Sequence, residues 1–249
     1  MTIRAPFLPF ALACTVAVAM PPSLVGAGEF ALEQRQQIES VIHDYLMGNP
    51  SVLMEALRAA ENKRNRDADA KAIEVLGDRR SEIFDDPATP VGGNPHGDVA
   101  VVEFFDYRCP YCKQVEPSLM TLLNQDQELR LIYKEMPVLG PQSDVAARAA
   151  LAAHRQGKFE TFHAALMATK GQVTDDTVYA IAASAGLNID ALKRDMVAPE
   201  IDWALKANLA LAEALNIRGT PGFIIGDHIA PDALDFDTLK KMVADARKR

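Results

Sequence analysis

The strongest constraint on the fold is the stretch 99–112, VAVVEFFDYRCPYC, in which an apolar run leads directly into two cysteines. The continuous apolar run Val99–Phe105 favours a short strand that is buried on both faces of a sheet. Pro110 suits the first turn of a helix, because its ring fixes φ and its missing N–H is not needed there. Because positions i and i+3 share one helix face, Cys109 and Cys112 can come close enough to bridge.

Cys109 is expected at the N-terminus of that helix, where the helix dipole and free N–H groups favour an anion. The pKa of its thiol should therefore be low, which would make Cys109 a reactive thiolate. Cys112, one turn further along, should be less exposed. Glu103 lies on the otherwise apolar strand, so burial would raise the pKa of its carboxyl and suit it to proton transfer. An ion pair between Glu103 and a nearby lysine is the alternative.

Residues 1–27 are typical of a secretory signal peptide, with Arg4, the apolar run Phe7–Met20 and the small-residue site Val25-Gly-Ala27. This segment holds Cys14, one of the 3 cysteines of the chain. The sequence before Cys14 also loosely resembles a lipoprotein cleavage site, although apolar residues continue beyond it. The exported chain then keeps two cysteines, both in one motif.

The two cysteines have three non-catalytic interpretations: a structural disulfide, a zinc site and a Cu(I) site. A structural disulfide stabilises most when it closes a long loop, so a bridge across two residues would gain little. A zinc site needs two further ligands, and the 5 histidines form no second pair at ligand spacing. Cu(I) binding by the two thiolates is chemically reasonable, because soft sulfur ligands select this ion. We therefore predict a redox-active disulfide between Cys109 and Cys112, with no metal and no other cofactor.

The charge balance excludes nucleic acid as a partner. Without residues 1–27, which contain a single basic side chain, the chain has 34 acidic residues and a net charge of about −9. No other stretch is apolar enough to span a membrane. The sequence therefore predicts a soluble, exported protein, placed in the periplasm.

Residues 28–84 differ from the remainder of the chain. Apolar residues at three- and four-residue steps predict an amphipathic helix up to Asn49-Pro50, where Asn49 is expected to cap a second helix. The polar run Glu61–Lys71 is either a solvated helix face or a helical linker. A pair of helices without a large core must bury its apolar stripe elsewhere, so self-association through these helices is expected.

The remaining chain begins with residues 85–98, which are rich in Pro and Gly and are predicted to form an irregular loop. After the cysteine helix, interrupted by a kink at Pro117, Leu129–Lys134 is predicted to be a second strand. Residues 142–215 are helical almost throughout and form a helical insertion. Gly226-Asp227-His228 should then turn a hairpin, and residues 236–246 should form a closing helix.

Thr220-Pro221 precedes the apolar strand of that hairpin. Proline is tolerated there only where its missing N–H is not needed by a strand ladder. A cis Thr220–Pro221 bond would meet this requirement.

Together these elements resemble the DsbA-like branch of the thioredoxin superfamily over roughly residues 90–248. The most specific match is Val102–Lys113, VEFFDYRCPYCK, and the segment Asp44–Leu57 is similar to the oligomerising extension of ScsC-type (suppressor of copper sensitivity) proteins. The resemblance implies an α/β thioredoxin fold with a helical insertion, preceded by an all-α N-terminal extension. The expected divisions are a signal peptide, an oligomerisation region with linker and a catalytic domain, at 1–27, 28–84 and 85–249.

The resemblance also implies roles for individual residues. Cys109 would attack a substrate, Cys112 would resolve the mixed disulfide, and Thr220 with Pro221 would dock an extended substrate beside the sulfur. A buried carboxylate that relays protons would be Glu103. The dipeptide between the cysteines, Pro110 and Tyr111, would tune the redox potential.

The implied function is that of a periplasmic thiol-disulfide oxidoreductase, with a protein disulfide isomerase or reductase as the favoured form. Its partners would be disulfide-containing or misfolded exported proteins, a membrane redox partner and further copies of itself, as a trimer or dimer. Several catalytic sites on one hub would share a substrate at high effective concentration, which favours isomerisation. The alternatives are a DsbA-like thiol oxidase and a Cu(I)-handling or chaperone protein linked to copper tolerance.

Overall fold

The computed structural model describes residues 31–248, so the predicted signal peptide lies outside the described residues. The described chain divides into two compact units, one that ends at Arg58 and one that begins at Ala59. None of the helices in the described range is both long enough and apolar enough to cross a membrane.

Three helices form the N-terminal part of the described chain: α1 (Leu32–Gly48), α2 (Pro50–Asp78) and α3 (Arg80–Phe84). The predicted interruption at Asn49-Pro50 is confirmed, and Asn49 lies directly before the first residue of α2, in the position predicted for its cap. Its side-chain amide donates to the carbonyl of Tyr45 at 2.9 Å, so it closes the end of α1. Helix α2 continues through the polar run 61–71 without a break.

A mixed five-stranded sheet lies at the centre of the second unit, in the order β1-β3-β2-β4-β5. Its strands are β1 (Val91–Gly93), β2 (Val99–Phe105), β3 (Leu129–Glu135), β4 (Gly222–Ile225) and β5 (His228–Ala230). Strands β2 and β3 are parallel, and the other neighbouring pairs are antiparallel. These findings show a thioredoxin-like fold.

The prediction of a wholly irregular loop over residues 85–98 is wrong at β1. This short strand pairs with β3, from Val91 opposite Ile132 to Gly93 opposite Arg130. Gly93 has φ +69°, and a Cβ there would meet the Leu129 carbonyl oxygen at 2.6 Å. The two glycines therefore permit a close strand pairing that their composition alone did not indicate.

Seven helices complete the second unit: α4 (Pro110–Gln125), α5 (Pro141–Arg155), α6 (Phe159–Met167), α7 (Asp175–Ser184), α8 (Ile189–Met196), α9 (Pro199–Ala214) and α10 (Phe236–Ala246). Thr174 and Asn188 cap α7 and α8, because their side chains accept hydrogen bonds from backbone N–H groups in the first turns. Helix α4 contains Pro117 and continues past it.

The core lies on both faces of the sheet, as expected for a strand without polar alternation. Along β2, Val101 and Phe105 pack with α4 and the helical insertion, whereas Val102 and Phe104 pack on the opposite face. Burial of both faces explains why β2 is almost continuously apolar. It also fixes where β2 ends, and therefore where the cysteine motif begins.

Candidate active site

The two cysteines lie where β2 delivers the chain to α4. Cys109 is the residue that precedes α4 in an extended conformation, and its N–H donates to the Asp106 carbonyl oxygen at 3.0 Å. Cys112 lies in the first turn of the helix. Both are free thiols; Cys109 is 3% exposed and Cys112 is fully buried, so Cys109 is less accessible than the sequence suggested.

The local environment separates the acidities of the two thiols. A hydrogen bond from the Cys112 thiol lowers the pKa of Cys109 to about 5, against the opposing effect of burial. The Thr220 side chain and the backbone N–H groups of Cys112 and Tyr111 contribute in the same direction. The pKa of Cys112 is raised, first because its proton is held in the bond to Cys109 and then because it is buried. Only Cys109 is a thiolate near neutral pH.

Thr220, which precedes Pro221, lies directly against the Cys109 sulfur. The Thr220–Pro221 bond is cis, which meets the requirement deduced from the sequence. When protonated, the Cys109 thiol donates to the Thr220 carbonyl oxygen at 3.1 Å. Tyr111, by contrast, points away from the core and is 60% exposed. The Thr220 carbonyl oxygen is thus a backbone acceptor in direct contact with the sulfur.

Glu103 is fully buried on β2, and neither carboxylate oxygen has a hydrogen-bond partner among the described residues. Burial raises the pKa of its carboxyl well above the ordinary value, and the charges of Glu116 and Cys109 raise it further. The lysine alternative is not seen, because the ammonium of Lys134 bonds to the Glu82 carbonyl, Asp86 and Thr89 instead. The ionised form of Glu103 is therefore a stronger base than an ordinary carboxylate and is suited to take up a proton.

Asp106 was not recognised from the sequence, yet it fixes the chain on two sides of the motif. Its carboxylate accepts hydrogen bonds from the N–H groups of Arg108, Val138 and Leu139 and from the Ser143 hydroxyl, at 2.7–3.0 Å. It thereby ties the turn before Cys109 to the loop that leads into α5. The residue type was visible in the sequence, but its partners are distant in the chain.

Two further buried polar residues near the thiols were also missed. Glu116 lies one turn after Cys112 on α4, and the spacing i, i+4 was a signal that could have identified it. The other is His163, which is 1% exposed and surrounded by aromatic rings. Within the described range, no cluster of three or more His, Cys, Asp or Glu residues is arranged to hold a metal ion.

Comparison with known proteins identifies the family. The model of the DsbA-like thioredoxin domain matches residues 100–244, which is more than half of the chain. The chain belongs to the DsbA-like thioredoxin domain family. A second model, the N-terminal domain of the copper resistance protein ScsC, matches residues 34–65.

Two solved structures illustrate this family relationship. A thioredoxin-like oxidoreductase from Silicibacter pomeroyi is 46% identical with a TM-score of 0.67, and the alignment covers 68% of this chain and 98% of that one. Proteus mirabilis ScsC in a transitional conformation is 28% identical with a TM-score of 0.66, covering 88% of this chain and 97% of that one. The second alignment therefore also takes in much of the N-terminal part.

The similarity also reaches larger proteins. The chain is 28% identical over 158 residues to a Na(+)/H(+) antiporter NhaA 1 of Salinispora arenicola. That match takes in 63% of this chain but spans only 24% of the antiporter's length. The chain therefore spans about a quarter of the length of the first curated relatives that it matches.

Proposed function

We propose that the protein is an exported thiol-disulfide oxidoreductase in which Cys109 is the attacking thiol and Cys112 the resolving thiol. The observation that carries this proposal is the contrast between the two sulfurs: one has a pKa of about 5 and the other a raised pKa. Thiol-disulfide exchange needs an attacking thiolate that is also a stable leaving group. Cys109 meets both conditions, and the Thr220 carbonyl marks where a substrate backbone would lie.

The proposed reaction proceeds through one mixed disulfide. The Cys109 thiolate attacks a substrate disulfide, forms a new S–S bond and releases one substrate thiolate. Cys112 then gives its proton to the Glu103 carboxylate, and the resulting thiolate attacks the Cys109 sulfur. This second attack breaks the mixed disulfide, releases the other substrate sulfur as a thiolate and leaves the Cys109–Cys112 disulfide. Oxidation of a substrate dithiol follows the same steps in reverse.

Isomerase or reductase activity is the form of this function that we favour, and it depends on the N-terminal helices. Helix α1 buries none of its residues, and its apolar side chains, among them Val41 at 69% and Tyr45 at 56% exposure, face outwards. An apolar face of this kind marks an association surface. We infer that α1 and the start of α2 join two or three copies, so that several Cys109 sites act on one misfolded substrate.

The domain limits and location belong to the same proposal. Residues 1–27 would direct export to the periplasm, 28–84 would assemble the protein, and 85–249 would catalyse exchange, with residues 142–215 as the helical insertion. Disulfide-containing or misfolded exported proteins would be the substrates. A membrane redox partner would return the cysteines to the working oxidation state.

Reactivation of scrambled ribonuclease tests this proposal. The chain without residues 1–27 is compared with its Val41→Glu variant and with the compact unit that begins at Ala59. We expect the parent chain to restore ribonuclease activity and to be larger than a monomer by light scattering, and both altered chains to lose both properties. Gln36→Glu, on the same helix but outside the apolar groove lined by Ile38, Val41 and Ile42, is the matched control. Reactivation by a monomeric Val41→Glu protein would refute the role of assembly.

The low pKa of Cys109 favours thiol oxidase activity as a second candidate. A thiolate that is stabilised in the reduced protein makes the disulfide form a stronger oxidant. If the protein rapidly oxidises reduced ribonuclease but fails to reactivate the scrambled form, the oxidase assignment replaces the isomerase assignment.

A further inference from the structure

A connected series of buried polar side chains lies beneath the cysteines and is not used in the reaction above. It comprises Glu116 on α4, His163 on α6, Tyr107 in the turn before Cys109, and Glu135 at the end of β3. All four are less than 10% exposed. Burying so many ionisable groups is costly, so their contacts call for an explanation.

The series contains two hydrogen bonds and one longer contact, between His163 and Glu116, whose atoms have no hydrogen-bond partner among the described residues. The Tyr107 hydroxyl donates to Oε1 of Glu135 at 3.1 Å, and Nδ1 of His163 lies 2.9 Å from the same hydroxyl oxygen. Because the single hydroxyl proton is directed at Glu135, Nδ1–H of His163 is the donor to Tyr107. In the neutral ring Nε2 is then an acceptor, and it lies 3.5 Å from Oε1 of Glu116.

The other end of the series approaches the resolving thiol. Both carboxylate oxygens of Glu103 and both of Glu116 are buried without a hydrogen-bond partner among the described residues. The charge of Glu116 acts on Glu103, and the charge of Glu103 acts on Cys112. Glu116 also lies one turn after Cys112 on α4, so the two buried side chains share one face of the helix.

We propose that Glu116, His163, Tyr107 and Glu135 form a buried proton relay that removes and returns the proton exchanged between Cys112 and Glu103. The inference rests on the proposed function, because it serves the step in which Cys112 becomes a thiolate. None of the four touches a substrate, so they act as positioning residues for that proton.

The transfer balances without an external reactant. Cys112 loses a proton to Glu103, which passes it to Glu116. Glu116 gives a proton to Nε2 of His163 while Nδ1–H passes one to Tyr107, and the hydroxyl proton moves to Glu135. One proton leaves Cys112 and one arrives on Glu135, whereas His163 ends with its proton on the other nitrogen and Tyr107 ends unchanged.

The charged and titratable groups around the relay lie on β3, on α4 and in the turn that follows β2. Tyr133 on β3 contacts the His163 ring at a centroid distance of 4.7 Å, and the charge of Asp106 acts on Glu135. Lys113 on α4 is directed at the carbonyl oxygens of Leu166 and Thr169. The remaining rings against His163 belong to phenylalanines, which do not titrate.

A stopped-flow experiment tests the proposal. The chain without residues 1–27 is reduced and then mixed with the symmetrical disulfide of thionitrobenzoate. The attack of Cys109 and the later attack of Cys112 each release one coloured thionitrobenzoate, so the two steps appear as separate phases. Since this leaving group departs readily, deprotonation of Cys112 governs the second phase. The relay variants are His163→Gln and Tyr107→Phe. Tyr133→Phe is the matched control, because it removes a buried hydroxyl from the same aromatic cluster without altering the series.

We expect the second phase of both relay variants to slow about a hundredfold, the low end of the range for general acid–base assistance, and the midpoint of its pH profile to move. The first phase should stay within about twofold, as should both phases of Tyr133→Phe, since these changes leave Cys109 untouched. A purely structural role would alter stability without moving the pH profile. The relay is refuted if the second-phase rates and pH profiles of the relay variants coincide with those of Tyr133→Phe.

A measurement on the parent chain covers the case in which a variant does not fold. The second-phase rate is recorded in mixtures of light and heavy water. Transfer of several protons predicts a curved dependence on the deuterium fraction, and a straight line would overturn the relay. Two clear phases together with failure to reactivate scrambled ribonuclease would reject the isomerase proposal while the relay remained supported.

Discussion

Replacing Cys112 with alanine should raise the pKa of Cys109. The thiol of Cys112 provides the largest single contribution that lowers this pKa, ahead of the Thr220 side chain and the backbone N–H groups. Alanine removes that donor but leaves the backbone of the first helical turn in place. The variant therefore separates the side-chain hydrogen bond from the effect of the helix N-terminus.

The size of the effect follows from the strength of the lost bond. A hydrogen bond to a charged group contributes about 1.5–3 kcal/mol, and one pKa unit corresponds to about 1.36 kcal/mol, so the pKa should rise by about 1–2 units. Starting from a pKa of about 5, the new value lies between about 6 and 7. At pH 6 the thiolate fraction should accordingly fall from about 90% to about 10–50%.

Ultraviolet absorbance of the thiolate, recorded against pH, measures this directly. In the Cys112→Ala chain without residues 1–27, Cys109 is the remaining thiol. Cys112→Ser is the matched control, because a hydroxyl can replace the donor and should keep most of the shift. If the pKa of Cys109 in Cys112→Ala stays near 5, the helix N-terminus and Thr220 are sufficient and our explanation is wrong.

Three further predictions concern stability and pH. Glu103→Gln should become increasingly more stable than the parent chain as the pH rises above about 4.5, by up to about 1.4 kcal/mol per pH unit. The reason is that the pKa of Glu103 is raised in the folded state, so its ionisation opposes folding. Parallel pH dependences of the two free energies of urea unfolding would contradict this. As the pH rises from about 5 to about 9, the reduced protein should become more stable relative to the disulfide form, since Cys109 has a pKa of about 5 when folded and 9.0 when unfolded. A difference in stability between the two forms that calorimetry finds constant over this pH range would refute the prediction. Asp106→Ala should lower the free energy of unfolding by about 3 kcal/mol or more, because it leaves several hydrogen-bond donors without an acceptor. Asp144→Ala, which loses an ion pair at the surface, should lower it by less than about 1 kcal/mol. Equal losses in urea unfolding would show that Asp106 does not anchor the loop.

Most of the fold was predictable because the local signals agree with the tertiary structure. The run Val99–Phe105 is buried on both faces, so its composition and its environment indicate the same element. Glycines and capping residues likewise divide the helical insertion where the structure does. The short strand β1 was missed because Val91–Gly93 has glycines in place of strand-forming side chains. Its pairing is determined by space next to β3, which sequence patterns do not record.

The candidate site was predictable as far as the cysteine motif and the Thr220-Pro221 pair extend. Asp106 and Glu135 were not, because their significance depends on partners more than 25 residues away, such as Val138 for Asp106 and Tyr107 for Glu135. His163 lies in a helix whose apolar pattern hides a single polar residue. Long-range contacts of buried polar groups are therefore the part of the site that requires coordinates.

The acidity of Cys109 and the proposed isomerase activity are compatible once nucleophilicity and redox state are considered separately. A low pKa weakens the intrinsic nucleophilicity of a thiolate, but it also makes the thiolate a good leaving group. An isomerase must be released from a mixed disulfide as readily as it forms one, and it must remain reduced. Stabilisation of the Cys109 thiolate supports both requirements, since it favours the reduced protein. The same stabilisation would serve an oxidase, so the apolar face of α1, through which we propose that catalytic sites are brought together, is what should separate the two activities.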